Sequence, residues 1–119
     1  MRSIFFFVVT ICASMNAAFA QDANAGKTLF QECAACHGTE PGEVLTAPSL
    51  AGVYGRKAGA SDGFRYTNAM KKSGITWNEE SLDAYLADPQ AAIPGNRMPY
   101  SGMTNPMDRK NLIAYLKTL

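Results

Sequence analysis

Apolar positions along the chain gather into four groups with helical spacing. Gly26, Leu29, Phe30 and Cys33 recur at three- and four-residue steps, and Asp22 or Asn24 can cap the helix they define. Gly26 inside that pattern costs up to ~1 kcal/mol against Ala. It marks either fraying near the helix start or the close approach of another helix. Thr67 to Ser73 reads as a short helix, capped by Thr67 and stopped at Gly74. Thr76-Trp77-Asn78-Glu79 reads as a capping box. The helix after it carries Leu82, Tyr85 and Leu86 on one face and ends before Pro89. A last helix starts at Asn105-Pro106, with Asn as cap and Pro at the first helical position. Its apolar face is Leu112, Tyr115, Leu116 and Leu119.

The stretches between these groups keep no period. Residues 38 to 62 are broken by Pro41, Gly42, Pro48, Gly52, Gly55 and Gly59, and no alternation lasts long enough for a strand. Pro89 to Thr104 reads as a second loop, with Pro94-Gly95 and Pro99. The pattern predicts an all-α fold, three main helices and a minor one strung on two long loops. Loops of that length in a small domain wrap something.

The start of the chain reads differently. Met1-Arg2-Ser3 is a short positive opening, Ile4 to Ile11 is apolar, and Ala18-Phe19-Ala20 is a small-x-small cleavage pattern. Residues 1–20 are therefore expected to be a secretory signal, cleaved after Ala20, with residues 21–119 as the folded domain. The rival is a retained membrane anchor, which the apolar stretch barely reaches and which Ser14 and Asn16 interrupt. Cys12 follows Thr10-Ile11, the wrong context for a lipid-modified cysteine, and belongs to the removed segment.

Cleavage changes the composition that matters. The whole chain has 119 residues and a formal charge of +1. Without the leader 99 residues remain, and loss of Arg2 leaves them neutral by count. A neutral domain has no basic excess with which to bind nucleic acid. An apolar fraction of 47% against 18% charged excludes a disordered chain. Yet the domain keeps only Phe30, Phe64 and Trp77 among its bulkiest core formers. Domains this small lean on a disulfide, a metal or a cofactor.

Cys33-Ala34-Ala35-Cys36-His37 supplies the candidate. Two thiols three residues apart on one helical turn can each add to one vinyl group of a porphyrin. The following His then lies beneath the ring, with Nε2 available to iron, so C-x-x-C-H reads as a haem c attachment motif. Three rivals are weaker. A Cys33–Cys36 disulfide suits an oxidising compartment. A thioredoxin-like pair needs a βαβ pattern that is missing. Zinc needs four ligands, and beyond two Cys and one His only scattered carboxylates remain.

His37 is the only histidine, so a second iron ligand must be a Met, a Lys or nothing. Met98 lies in the Pro-flanked run Ile93-Pro94-Gly95-Asn96-Arg97-Met98-Pro99-Tyr100, free of helical constraint and soft enough for iron. Met103 is the runner-up. Met70 and Met107 read as flexible core fillers.

With these residues in order, the chain resembles the class I cytochromes c, most of all the bacterial cytochrome c2 and mitochondrial cytochrome c branch. The resemblance runs over residues 25 to 119. Beyond the haem motif it includes Ala47-Pro48-Ser49-Leu50-Ala51-Gly52-Val53-Tyr54-Gly55-Arg56-Lys57-Ala58-Gly59, Phe64-Arg65-Tyr66-Thr67, Gly74-Ile75-Thr76-Trp77, the Met98 run and Leu112-Ile113-Ala114-Tyr115-Leu116. A haem motif near the front and a Met near the back separate it from the four-helix cytochromes c′. The resemblance implies that Pro48 offers its carbonyl to His37, and that Arg56, Tyr66 and Trp77 meet the haem propionates. It implies that Tyr85 lies beside the Met98 sulfur, and that Gly26 and Phe30 pack on Tyr115 and Leu116. Two positions depart from the mitochondrial branch. Met70 stands where that branch has Asn, and Glu32, Gln90 and Ala91 stand where it has lysines round the haem edge.

The expected function is one-electron transport in the periplasm by a soluble, monomeric carrier with a single covalent haem c. Partners would dock transiently at the haem edge near Tyr100 and Arg97, with no nucleic acid and no small-molecule substrate involved. The alternatives are a haem enzyme or gas sensor with an open sixth iron position, and a dedicated subunit of one redox enzyme.

Overall fold

A computed structural model describes residues 21–119, and the expected leader and its cleavage point lie outside the described residues. Six helical segments follow one another: α1 (Ala23–Leu29), α2 (Gln31–Ala34), α3 (Asn68–Lys72), α4 (Glu79–Ala87), α5 (Pro89–Ala92) and α6 (Pro106–Leu116). Among the described residues there is no strand, only one isolated bridge between Lys57 and Thr76. Among them, too, no helix is long and apolar enough to cross a membrane.

The Asp22 carboxylate accepts from the backbone N–H groups of Asn24 and Ala25 and so caps α1. Phe30 keeps helical dihedrals between α1 and α2, so the first helix runs on into the Cys-x-x-Cys-His turn. Gly26 is where α6 crosses. A Cβ there would run into the Asn111 carbonyl and the Tyr115 side chain, which makes close helix approach the reason for this glycine. Phe30 meets Tyr115 with ring centroids 5.2 Å apart, and Asp22 N–H donates to Asn111 Oδ1. The α6 helix also packs on α4, so it buries two sides rather than one stripe. Ile113, off the predicted face, is therefore 0% exposed, while Tyr115 is only part-buried. Met107 is 36% exposed on the first turn of α6, so it is not a core filler.

Two local expectations are corrected. The capping box belongs to Asn78 and Ser81, not to Thr76 and Glu79. Thr76 is unavailable as a cap because it lies in the bridge with Lys57, and Trp77 N–H donates to the Arg56 carbonyl. The second loop contains a helix, α5, capped by the Asp88 carboxylate with Pro89 at its first position. That is the same device that opens α6 at Asn105-Pro106. The short α3 does follow its pattern: Thr67 Oγ1 accepts from Met70 N–H, and Gly74 ends the segment at φ +70°.

Two side chains tie the second half together. Arg109 on α6 pairs with Asp83 on α4 at 2.7 Å and donates to the carbonyls of Met103 and Thr104. Core residues from α1, α4 and α6 then surround one side of a large internal space, and the two long connections close the rest.

Candidate cofactor site

The space is a cavity of about 560 Å³, within the range typical of small-molecule and cofactor sites. Its walls bring together residues spread over the whole domain. Cys33, Cys36 and His37 come from the α2 turn, and Pro48 and Arg56 from the first long connection. Tyr66, Trp77 and Tyr85 line the interior, and Met98 and Tyr100 come from the second connection. Every residue that the sequence pointed to as part of the haem site therefore lines one cavity. Met103 does not. It is 7% exposed in the core, and its N–H donates to the Leu86 carbonyl. Met70, expected as core filling, is part-buried in the cavity wall.

The His37 wall is set by backbone groups. The helix turn closes through His37 N–H to the Cys33 carbonyl, and Ala47 N–H donates to the Cys36 carbonyl. This brings the Pro48 carbonyl oxygen to 2.7 Å from His37 Nδ1. A carbonyl can only accept, so Nδ1 carries the proton and the Nε2 lone pair is left for a ligand. Burial lowers the His37 pKa, only partly opposed by the Pro48 hydrogen bond, which keeps the ring neutral. Both thiols are free. Burial, then the Glu32 carboxylate, pushes the Cys33 thiol up to about 11. Among the described residues there is no strand, so the βαβ context of a thioredoxin-like pair is missing.

The Met98 wall is set by side chains. Tyr85 Oη lies 3.5 Å from Met98 Sδ and 3.4 Å from Asn96 Oδ1. Burial lifts the Tyr85 hydroxyl to about 12, so it stays protonated and can donate. Asn96, which the sequence reading passed over, is 6% exposed and hydrogen-bonds Met98 N–H at 2.9 Å. Its signal was a polar residue held between two prolines inside the Met run, but only burial distinguishes it from a turn residue.

At the floor, Arg56 donates to the carbonyls of Ala51 and Ser49. Its Nε is the only buried side-chain N or O atom without a partner among the described residues. Trp77 and Tyr85 meet in a tilted contact with centroids 5.0 Å apart, and Phe64 meets Tyr66 edge to face at 4.9 Å. At the mouth stand Arg97, Tyr100 and Glu32, with burial and then Glu32 raising the Tyr100 pKa. The walls fit a flat, mainly apolar group that is reactive toward thiols at one edge and carries acid groups toward Arg56. A tetrapyrrole with vinyl and propionate substituents has that chemistry.

Comparison with known proteins agrees. The family model for cytochrome c matches residues 23–119. Cytochrome c2 iso-2 of Magnetospirillum molischianum is 55% identical over 98 residues, spanning 82% of this chain and 98% of the relative. Cytochrome c2 of Blastochloris viridis is 42% identical over 98% of this chain and 93% of its own length. The solved structure of cytochrome cH from Methylobacterium extorquens superposes with a TM-score of 0.78 at 42% identity, over 82% of this chain and 99% of that one. This chain belongs to the cytochrome c family, class I and near its cytochrome c2 branch: an all-α electron carrier with covalent haem c, not an enzyme.

Proposed function

We propose that the chain is a periplasmic, monomeric shuttle that accepts and gives up single electrons through a haem joined to Cys33 and Cys36, with His37 and Met98 as iron ligands. The observation that carries this reading is the placement of Cys33, Cys36 and His37 in the wall of the same cavity as Met98, from opposite ends of the sequence. Bound haem supplies one Fe(III)/Fe(II) couple, and a thioether ligand raises its potential.

The residues divide the remaining work. Pro48 holds His37 Nδ1–H, fixing the ring plane and strengthening Nε2 as a donor. Arg56, with its spare Nε, and Tyr66 and Trp77 meet the propionates, so that two acid groups can be buried without ionic isolation. Tyr85 donates toward the Met98 sulfur. Leu82, Leu86, Leu112 and Leu116 keep water from the cavity interior. Arg97, Tyr100 and Glu32 rim the edge where membrane or periplasmic redox proteins dock briefly.

Export is supported by two facts. The family match starts at residue 23, and 98 residues of this chain match the Magnetospirillum relative along 98% of its length. The charge and apolar pattern of residues 1–20 suits a signal removed after Ala20. A redox titration of the purified holoprotein followed by absorbance tests the reading. One reversible one-electron step with low-spin spectra in both states is expected. High-spin ferric features, or binding of CO by the ferrous protein without denaturant, would show an open sixth position instead.

A further inference from the structure

The Met98 side chain has three rotatable bonds and leaves a loop, yet a ligand to iron must return to one place. What restricts it is a buried amide. Asn96 Nδ2 donates to the carbonyls of Pro89 and Ile93, both at 2.8 Å. Asn96 Oδ1 accepts from Met98 N–H at 2.9 Å and from the Tyr85 hydroxyl at 3.4 Å. Two carbonyls on one side and a backbone N–H on the other determine which amide atom is which. All four hydrogen-bonding positions of the carboxamide are used. No other side chain of similar size offers two donors and two acceptors: Asp lacks the donors and Thr has one.

We propose that Asn96 is the positioning residue for the Met98 sulfur, and that it sets how firmly the sulfur stays on iron. The inference rests on Met98 being the iron ligand. One atom, Oδ1, holds both ends of that ligand. It fixes the Met98 backbone directly, and it locates the Tyr85 hydroxyl that contacts Sδ. The hydroxyl has one proton and two acceptors, Asn96 Oδ1 and Met98 Sδ, so Asn96 also competes for the hydrogen bond that the sulfur receives. The other end of the amide is moored to α5, the short helix capped by Asp88. Gln90 reinforces the mooring from the surface: its Nε2 donates to the Asn96 carbonyl at 2.8 Å and its Oε1 accepts from Gly95 N–H at 3.3 Å. The turn that presents the sulfur is thus held by two amide side chains within a segment of seven residues, 90 to 96.

The test uses the holoprotein and imidazole as a competing ligand, read by the absorbance change when the sulfur leaves ferric iron, together with the midpoint potential. Asn96→Ala should bind imidazole about tenfold or more tightly, the equivalent of one to two net hydrogen bonds lost from the sulfur-bound state. Its potential should fall. Gln90→Ala, at an exposed position where folding is not at risk, should move both readings in the same direction by a smaller factor. Phe30→Leu, in the core but outside the cavity wall, lowers the melting temperature and should move neither. Met98→Ala gives the upper limit of imidazole affinity. If Met98→Ala itself leaves affinity unchanged, the ligand reading fails and this inference fails with it. If Met98→Ala opens the iron but Asn96→Ala binds imidazole no better than Phe30→Leu, the inference alone is overturned. Should Asn96→Ala not assemble, an unchanged affinity in Gln90→Ala overturns it equally.

Discussion

The α1–α6 crossing and the segment from Ile93 to Met103 are held by opposite means. At the crossing, shape decides. Gly26 gives up a side chain so that α6 can come close, and Phe30, Tyr115 and Leu116 fill the space beside it. In the Met98 segment, the buried apolar side chains stand only at the ends, Ile93 and Met103, while Met98 and Tyr100 between them are part-buried. Between them the backbone is fixed by Asn96, Gln90 and the carbonyls they reach. The difference suits the two tasks. A helix crossing tolerates no inserted atom but need not aim any one group. A ligand loop must aim one sulfur, and directional hydrogen bonds do that where non-directional packing cannot.

The largest test removes what both regions surround. Cys33 and Cys36 replaced together by Ala should abolish covalent haem, leaving the cavity unfilled and the domain without much of its core. Haem staining on a denaturing gel and the helical circular dichroism of the product check this. A cooperatively melting helical apoprotein would show that the crossing holds the fold unaided.

Next come two glycines, one in each region. Gly26→Ala drives a Cβ into the backbone of Asn111, and helix backbone cannot move aside cheaply. A loss of about 3 kcal/mol in holoprotein stability is expected, the upper end of overpacking costs. Gly102→Ala meets the Ala87 carbonyl and also forces φ +116° on a residue with a side chain. It should destabilise too, but its mark should be weakened sulfur ligation, because the strain falls between Met98 and the Met103 anchor. If thermal melts and imidazole titrations rank the two variants alike on both scales, the two regions are not held independently.

A smaller effect on stability, but a clear one on the iron, is expected from the methionines. Met98→Ala should lower the midpoint potential and admit exogenous ligands, while Met103→Ala should lower the melting temperature and leave the ligation spectrum as it was. Exchanged behaviour would move the ligand to Met103.

The smallest expected effect is that of salt. Electrostatic steering is screened over a Debye length of ~8 Å at physiological ionic strength. Residues 21–119 are neutral by count, and Glu32 in the cavity wall brings a negative charge rather than a positive one. Arg97, Lys71 and Lys72 are exposed and offer a small basic group, with Tyr100 adding apolar surface at the rim. The second-order rate of oxidation or reduction by periplasmic membranes should therefore change little across a salt series. A steep fall with salt would mean that this local group outweighs net charge.

What the sequence determined by itself is what depends on short-range chemistry. The caps at Asp22, Thr67 and Asn105, the Cys33–Cys36–His37 turn and the face carrying Leu82, Tyr85 and Leu86 are each set by neighbours within a helical turn or two. The need for a cofactor was legible too, because a chain with two long loops and only two Phe and one Trp beyond the first twenty residues has a thin apolar core. Asp88-Pro89 carried the same start signal as Asn105-Pro106, and the α5 helix was missed because only four residues follow it. Tertiary structure alone decided the rest. Thr76 lost its capping role to a bridge with a residue nineteen positions earlier. Ile113 became fully buried because α6 is covered from two sides. Asn96, an ordinary turn residue in the sequence, became the hub of the Met98 segment because Pro89, Ile93 and Tyr85 fold around it. A side chain's hydrogen-bond capacity is written in its type. Whether that capacity is spent on water or on a buried partner depends on what the rest of the chain packs against it.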